Sequence, residues 1–426
     1  MEKRRVAFVT LGCKLNFSES STLAREFVRR GYEVVAAGQT ADVYVVNTCS
    51  VTETADKKCR NAIRKFHKAS PDAVIAVTGC YAQLKAAEIA AIEGVSVVAG
   101  ARDKGRLCDL VEEALRDSSG PAEVFSCPID EVENIFPACS SGDRTRVFLK
   151  VQDGCDYRCS YCTVPLARGH SRNLPISEIV AQARDAASAG MKEIVITGVN
   201  TGDFGKTTGE SFLDLLKALN GVEGIERYRI SSIEPNLLTE EILRWIASGT
   251  KFLPHFHIPI QSGCDKTLKA MHRRYTAAMF EEKIALVRDI LESPEERYTK
   301  VFFGIDVIVG FPGETEEDFR ATYDLLSRVR PAFLHVFPYS RRAGTEAASL
   351  PGQLTAADKA ARVARLEALS DRLHSEFCEA NRGRKAEVLF ESREKGGMMS
   401  GYTGNYIRVE RPYDKALIGR ITEVEL

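Results

Sequence analysis

Arg146-Val147-Phe148-Leu149-Lys150-Val151-Gln152-Asp153-Gly154-Cys155-Asp156-Tyr157-Arg158-Cys159-Ser160-Tyr161-Cys162 reads as a strand, Arg146 to Gln152, running straight into a loop with three thiols. The C-x3-C-x2-C spacing lets Cys155, Cys159 and Cys162 converge from one short loop on a compact metal centre, and three ligands rather than four leave one coordination position open. A structural zinc would seek a fourth ligand, for which His170 is near enough in sequence. The loop follows a strand, and the carboxyl end of a strand is where α/β folds place their chemistry.

Strand-helix alternation continues on the carboxyl side. Glu193–Gly198, Tyr228–Ile233, Phe256–Ile260, Val301–Gly310 and Phe333–Phe337 read as buried strands, and helices are expected over Ser177–Ala189, Phe212–Leu219, Thr239–Ala247, Lys266–Met271, Ala277–Leu291 and Glu316–Val329. Six such units fall short of the eight of a complete barrel, which leaves an open partial barrel or a second doubly wound sheet. On the amino side, Arg5–Leu11, Val43–Asn47, Ala73–Thr78 and Val95–Ala99 read as buried strands around helices Ser18–Arg30, Thr52–Ala69 and Leu84–Glu93, a pattern that predicts a doubly wound parallel sheet. Cys13, Cys49 and Cys80, separated by 36 and 31 residues, each fall just past one of these strands and so meet on one edge. Residues 117–142, with Ser118-Ser119-Gly120-Pro121, Pro128, Pro137 and Ser140-Ser141-Gly142, read as a linker. A charged helix over Ala356–Ala380 and short strands near Glu387–Glu391, Tyr406–Val409 and Arg420–Val424 close the chain with a small all-β unit.

The chain has 426 residues, 58 Lys or Arg against 59 Asp or Glu, and a net charge of -1, so any polyanion site must be local. No stretch approaches the roughly 18 apolar residues of a spanning helix. The segment before Cys13 imitates a lipoprotein signal, but its apolar run is short and a buried first strand fits better. The expected compartment is the reducing cytoplasm, where 12 cysteines serve metal or redox chemistry more often than disulfides.

The cysteine loop, followed by its strand-helix units, resembles the radical S-adenosylmethionine superfamily. The segments Leu11-Gly12-Cys13-Lys14-Leu15-Asn16, Val46-Asn47-Thr48-Cys49-Ser50-Val51-Thr52 and Thr78-Gly79-Cys80-Tyr81-Ala82-Gln83 resemble the signatures of its methylthiotransferase family, and the likeness spans essentially the whole chain. The resemblance implies an N-terminal methylthiotransferase domain (1–120), a linker (121–142), a partial (β/α)6 radical barrel (143–368), and a helix end with a TRAM-like RNA-binding β domain (369–426). It implies two [4Fe-4S] clusters, one on Cys155, Cys159 and Cys162 and an auxiliary one on Cys13, Cys49 and Cys80. S-adenosylmethionine would lie against Tyr161, with Gly198, Asn200, Ser232, Glu234, Gln261, Ile308 and Gly310 as further contacts. Thr197-Gly198-Val199-Asn200 stands where many superfamily members carry a Gly-Gly-Glu element. The implied chemistry is methylation of cluster-associated sulfur, then reductive cleavage of a second S-adenosylmethionine, hydrogen abstraction by the resulting deoxyadenosyl radical, and capture of the methylthio group. No side-chain base is identifiable.

Family substrates are isopentenyladenosine or threonylcarbamoyladenosine in tRNA, or an aspartate of a ribosomal protein, and Lys14 resembles the threonylcarbamoyladenosine branch. The implied partners are a tRNA anticodon loop and a reductant such as flavodoxin or ferredoxin, acting on a monomer away from any membrane. Between Arg144 and Arg172 six basic residues (144, 146, 150, 158, 168 and 172) face only Asp153 and Asp156, a local excess suited to phosphates. Arg168, Arg273, Arg274, Arg341 and Arg342 are the candidate substrate cations, and Tyr402 and Tyr406 candidate base-stacking rings. Cys59, Cys108, Cys127, Cys139, Cys264 and Cys378 read as buried or free thiols, and His255 and His257 as barrel histidines. A different radical enzyme would not need Cys13, Cys49 and Cys80, and a zinc-stabilised RNA-binding protein would need a complete ligand set.

Overall fold

The computed structural model describes residues 3–117, 120–140, 142, 145–292 and 300–426. Its first layer follows from runs of β-branched residues covered on both faces, as parallel strands require. β1 (Arg5–Thr10), β2 (Glu33–Val35), β3 (Val43–Thr48), β4 (Val74–Gly79), β5 (Val95–Ala99) and β6 (Glu123–Phe125) form one parallel sheet in the order β2-β1-β3-β4-β5-β6. One apolar cluster, with Leu23, Phe27, Leu107 and Val111, covers one face, and another, with Ile63, Phe66, Tyr81 and Ile89, covers the other.

The two edge strands escape sequence reading because each has three residues and two of them face water, leaving no apolar run to detect. β6 lies inside the stretch expected to be a linker, so that stretch in fact completes the sheet. The expected Ser118, Ser119 and Ser141 signals lie outside the described residues. The first helix, Lys14–Arg29, starts directly after Cys13, four residues earlier than its apolar periodicity suggests. The second, Glu53–Ala69, is capped by Thr52, whose hydroxyl accepts from the Ala55 amide at 3.2 Å.

β7 (Arg146–Lys150) opens the second unit, and β8 (Gln152–Asp153) pairs antiparallel with β9 (Arg172–Asn173). β10 (Glu193–Thr197), β11 (Arg227–Ile230), β12 (His255–His257), β13 (Phe302–Val309) and β14 (Phe333–Pro338) follow. The parallel sheets β7-β10-β11 and β12-β13-β14 are joined by the bridges Tyr228 to Phe252 and Ser232 to His257. Spatial order thus follows chain order without reversal, the mark of a barrel rather than of a doubly wound sheet. The arc stays open between β7 and β14. The helix Lys14–Arg29 packs against β7 at that seam, with the Phe17 and Phe148 rings 5.8 Å apart edge to face.

The helix Ala356–Glu379 carries a Thr355/Asp358 capping box and places Leu366, Leu369 and Leu373 in the barrel's apolar core. It runs unbroken through residue 369. Beyond it, β15 (Lys385–Lys395), β16 (Met398–Thr403), β17 (Arg408–Pro412) and β18 (Ile421–Glu425) form an antiparallel sheet in the order β17-β16-β15-β18. β17 starts two residues later than expected because Tyr406 occupies the left-handed region (φ +66°) and turns the chain. This sheet plugs the amino end of the barrel. Arg229 donates to the Thr403 and Gly404 carbonyls at 2.8 Å each, Arg227 donates to the Glu387 carbonyl at 2.8 Å, and the Tyr406 ring lies 4.6 Å from that of His255. No described helix is long and apolar enough to cross a membrane.

Candidate metal and cofactor site

The opposite, carboxyl end of the barrel carries the first thiol triplet. Gly154 turns the chain out of β8 at φ +71°, where a Cβ would stand 1.9 Å from the His170 carbonyl oxygen, so only glycine fits. The Cys155 amide then bonds the Gly169 carbonyl at 3.0 Å, which ties the loop to the segment leading into β9. Each thiol faces an N–H donor: Cys155 the Tyr157 amide at 3.4 Å, Cys162 the Val164 amide at 3.4 Å, and Cys159 the Arg273 guanidinium at 3.1 Å. Burial pushes the Cys155 and Cys162 thiols up to about 12, each further raised by its thiol neighbours. Burial also raises Cys159, which Arg273 pulls back down. Mutual proximity, donors aimed at sulfur and the cost of three buried thiolates without a cation all suit a bound metal centre. His170, the sequence candidate for a fourth ligand, is exposed and turned to Asp156 at 3.3 Å, so the donor set is three sulfurs.

The same three cysteines open on a cavity of about 330 Å³. Of the expected S-adenosylmethionine contacts, Tyr161, Asn200, Ser232, Glu234, Gln261 and Ile308 all line it. Gly198 and Gly310 lie off its wall: Gly198 packs on Gln152, and the Gly310 amide bonds Glu314 at 3.0 Å. Gln261 holds φ +65°, a strained conformation for a side-chain-bearing residue. Arg273, expected at the substrate surface, is instead buried in this wall, joined to Glu234 and to the Tyr275 hydroxyl at 3.0 Å. Its place between Cys159 and Glu234 was not legible from the basic pair Arg273-Arg274. Deeper in the barrel, Asp306 accepts from His257 at 2.6 Å, and His335 stacks on His257 with ring centroids 4.9 Å apart. A metal-ligating atom from each of these three residues lies within 4.8 Å of the others.

The second triplet stands where β1, β3 and β4 end. A Cβ on Gly12 would be 2.7 Å from Cys49 Cβ and 3.0 Å from its sulfur, so the Cys13 and Cys49 loops touch. Asn16 laces them: its side-chain amide donates to the Leu11 carbonyl at 2.7 Å and the Thr48 carbonyl at 3.0 Å. Thr48 extends the lacing to the third loop by donating to the Thr78 carbonyl at 2.6 Å and accepting from the Ala82 amide at 3.2 Å. Burial pushes the Cys49 thiol up to about 12, with Cys80 and Cys13 adding to the shift, and raises Cys80 as well. These three thiols have the same chemistry as the first set and fit the same kind of centre.

The two triplets are fastened together. Thr163, next to Cys162, donates to the Ser50 carbonyl at 3.4 Å, and Val51 and Thr52 form part of the wall of the 330 Å³ cavity. Arg342 is not a free substrate cation. It donates to Asp56 at 2.6 Å and Ser50 at 2.8 Å, clamping the barrel to the Cys49 loop. Arg168 likewise is buried: it donates to Asn16 at 2.6 Å, Asp153 at 2.8 Å and Glu19 at 3.2 Å. Lys104 and Lys150 meet the same Glu19 at 2.6 and 2.9 Å, and the three cations hold its carboxyl well below the usual carboxylate range against the desolvation of a buried site.

Among the described residues the cations of the expected basic rim are therefore mostly spent inside the protein. Lys150 and Arg168 are neutralised internally, Arg172 is buried against the Val132 and Arg168 carbonyls, and Arg146 pairs with Glu391 at 2.9 Å. Arg144 lies outside the described residues. Arg158 and Arg341 remain exposed, and Arg274 lies 4.0 Å over the Tyr157 ring. Tyr402 and Tyr406 are not free stacking platforms either. They stack on each other at 4.8 Å, with the Arg146 guanidinium over both rings at the plugged end of the barrel. Cys59, Cys108 and Cys139 are buried, Cys264 donates to Asp318 at 3.3 Å, and Cys378 lies 3.7 Å from His374.

Residues 5–100 match uncharacterized protein family UPF0004, and residues 149–326 match the radical SAM superfamily. The chain is 41% identical to the threonylcarbamoyladenosine tRNA methylthiotransferase MtaB of Bacillus subtilis, over 99% of this chain and 93% of the relative. The protein of the same name from Aquifex aeolicus is 37% identical over 99% of each. A tRNA-2-methylthio-N(6)-dimethylallyladenosine synthase of Alkaliphilus oremlandii is 33% identical over 100% of this chain and 90% of the relative. In fold, the chain is similar to the radical S-adenosylmethionine methyltransferase TsrM of Kitasatospora setae, with a TM-score of 0.56 and 15% identity over 94% of this chain and 81% of that one.

Proposed function

The chain belongs to the tRNA methylthiotransferases of the radical S-adenosylmethionine superfamily, and on that premise we propose that it attaches a methylthio group to C2 of N6-threonylcarbamoyladenosine at tRNA position 37, beside the anticodon. The relatives at 41% and 37% identity carry that substrate in their names, whereas the 33% relative quoted above carries dimethylallyladenosine. The observation that carries the reading is the junction between the two thiol triplets. An enzyme that only generates a radical has no use for the second set, and here the Cys49 loop forms part of the wall of the cavity fronting Cys155, Cys159 and Cys162.

In this reading Cys155, Cys159 and Cys162 hold one [4Fe-4S] cluster and Cys13, Cys49 and Cys80 the other. When bound, the clusters and S-adenosylmethionine supply one-electron cleavage of the sulfonium and the sulfur that is transferred. The chain's own residues do the positioning. Asn200, Ser232, Glu234 and Gln261 offer hydrogen-bonding groups to the cofactor in the cavity, and Tyr161 and Ile308 offer apolar faces. Arg273 donates to Cys159 and so spreads positive charge over a thiolate ligand. The closed barrel floor keeps water from the reacting centre. The electron comes from a reductant of the flavodoxin or ferredoxin class, and the chain acts as a cytoplasmic monomer on the anticodon loop.

Anaerobic reconstitution tests the reading. The wild type should hold about eight irons per chain and absorb visible light, and replacing Cys13, Cys49 and Cys80 together should leave about four. A strain lacking the protein should lose the methylthio form of threonylcarbamoyladenosine from its tRNA. Loss of the dimethylallyl product alone, or colourless protein carrying zinc, would overturn the proposal.

A further inference from the structure

The barrel lumen below the cofactor cavity is polar, and one of its cations is unspent. Its walls carry Arg146, Arg229, His255, His257, Asp306 and His335, from β7 and β11 to β14, and Tyr406 closes its floor. Into this space, through the open seam beside β7, the first helix sends Lys14. The helix is seated there by Phe17 on Phe148, and the Lys14 ammonium lies within electrostatic reach of Tyr406, Arg146, Asp306 and Arg229, and in turn of His255 and His335.

The other cations of this space are satisfied. Arg146 is paired with Glu391 at 2.9 Å, Arg229 with Glu193 at 2.7 Å, and above them Arg273 is paired with Glu234. The one lumen carboxylate without a guanidinium, Asp306, is taken by His257 at 2.6 Å. Among the described residues the Lys14 side chain forms neither a hydrogen bond nor an ion pair, although the residue is half-buried beside Cys13. With the nearby Asp306 held by His257, an ammonium left unpaired among protein groups is costly unless something arrives to pair with it.

We propose that Lys14 is the specificity-determining cation of the substrate pocket, pairing with the free carboxylate of the threonylcarbamoyl group when the modified adenosine enters the lumen. The assignment rests on the functional reading above and deepens it. A threonylcarbamoyl substituent ends in a carboxylate and a hydroxyl, which match Lys14 and the histidine-lined wall. A dimethylallyl substituent is a hydrocarbon and would leave the ammonium desolvated without a partner, which is discrimination by an unmet charge.

The test uses reconstituted full-length protein and three synthetic anticodon stem-loops, bearing threonylcarbamoyladenosine, its carboxylate methyl ester, or dimethylallyladenosine. Affinity is read by fluorescence anisotropy and KM by methylthiolation. Wild type should bind the acid roughly 10- to 100-fold more tightly than the ester, the range for a charge-assisted hydrogen bond. Lys14→Gln should reduce that acid-to-ester ratio to within about twofold, and Lys14→Arg should restore most of it. Because both loops are compared on one protein, the ratio stays readable even if the change beside Cys13 lowers iron content. Wild type that accepts the acid while Lys14→Gln keeps the same ratio overturns the assignment of Lys14 alone. Wild type that ignores the acid and turns over the dimethylallyl loop overturns the functional reading and the assignment with it.

Discussion

Glu19→Gln removes one charge at the point where the N-terminal sheet unit meets the barrel. Glu19 is fully buried and pairs with Lys104 at 2.6 Å from its own unit and with Lys150 at 2.9 Å and Arg168 at 3.2 Å from the barrel. Asp153, bound to Lys150 at 2.5 Å and Arg168 at 2.8 Å, is the second carboxylate of the group. The amide keeps the shape but leaves three buried cations facing one carboxylate, and breaking a buried pair from one side costs about 3–5 kcal/mol. The measurement is an anaerobic urea titration at pH 7, wild type against Glu19→Gln, with the midpoint change multiplied by the slope.

The pH dependence gives an independent check. The folded pKa of Glu19 lies well below its ordinary value of 4.5, so its contribution is fully present above that value and is lost as pH falls through the folded one. Asp153 is depressed by the same cations and acts in the same direction. Wild type should therefore lose stability progressively below about pH 5, and the variant should start lower and fall less steeply over that window. A variant within about 1 kcal/mol of wild type, with an unchanged acid limb, would refute the network as a source of cohesion.

Gly12→Ala should abolish the N-terminal cluster while sparing the other, because its Cβ would press on Cys49 at 2.7 Å and the backbone holds φ +107°; iron should fall by about half. Arg342→Met should strand Asp56 and Ser50 and loosen the clamp between the units. The expected cost is about 1.5–3 kcal/mol in the denaturant midpoint, with increased cleavage of the Ser50–Thr52 segment in limited proteolysis. Deleting residues 383–426 should expose Arg227, Arg229 and His255 at the barrel floor. That protein should aggregate on reconstitution and lose more of its cofactor-derived radical to unproductive quenching, seen as more S-adenosylmethionine cleaved per methylthio group formed.

Much of the fold was legible because its signals are local. The helices Ala277–Leu291 and Glu316–Val329 and the strand Val95–Ala99 follow directly from apolar periodicity and, in the second helix, from the Thr315 capping box. β2 and β6 were not legible, since three-residue edge strands with two exposed positions carry no periodic pattern. The choice between a partial barrel and a second doubly wound sheet was also closed to sequence, because both are built from the same strand-helix units and differ only in spatial strand order.

Both thiol triplets were visible for a related reason: one sits within eight consecutive residues, and the members of the other each follow a buried apolar strand, at the ends of β1, β3 and β4. What the sequence could not reveal was which charges are spent. Arg168 sits in a locally basic stretch, yet Glu19, its neutralising partner, lies 149 residues upstream, and Arg146 finds Glu391 245 residues downstream. Tyr406 looks like a free aromatic until the chain returns it to the barrel floor, and Lys14 stands out in the sequence only as a branch mark, its nearness to Tyr406, Arg146 and Asp306 arising when the chain folds. Short-range patterns in the sequence set the order of the elements and single out the two thiol triplets as candidates. Which cations remain available to a substrate is settled by folding, because a buried charge is satisfied or left open by groups that are distant in the chain and meet only in the folded state.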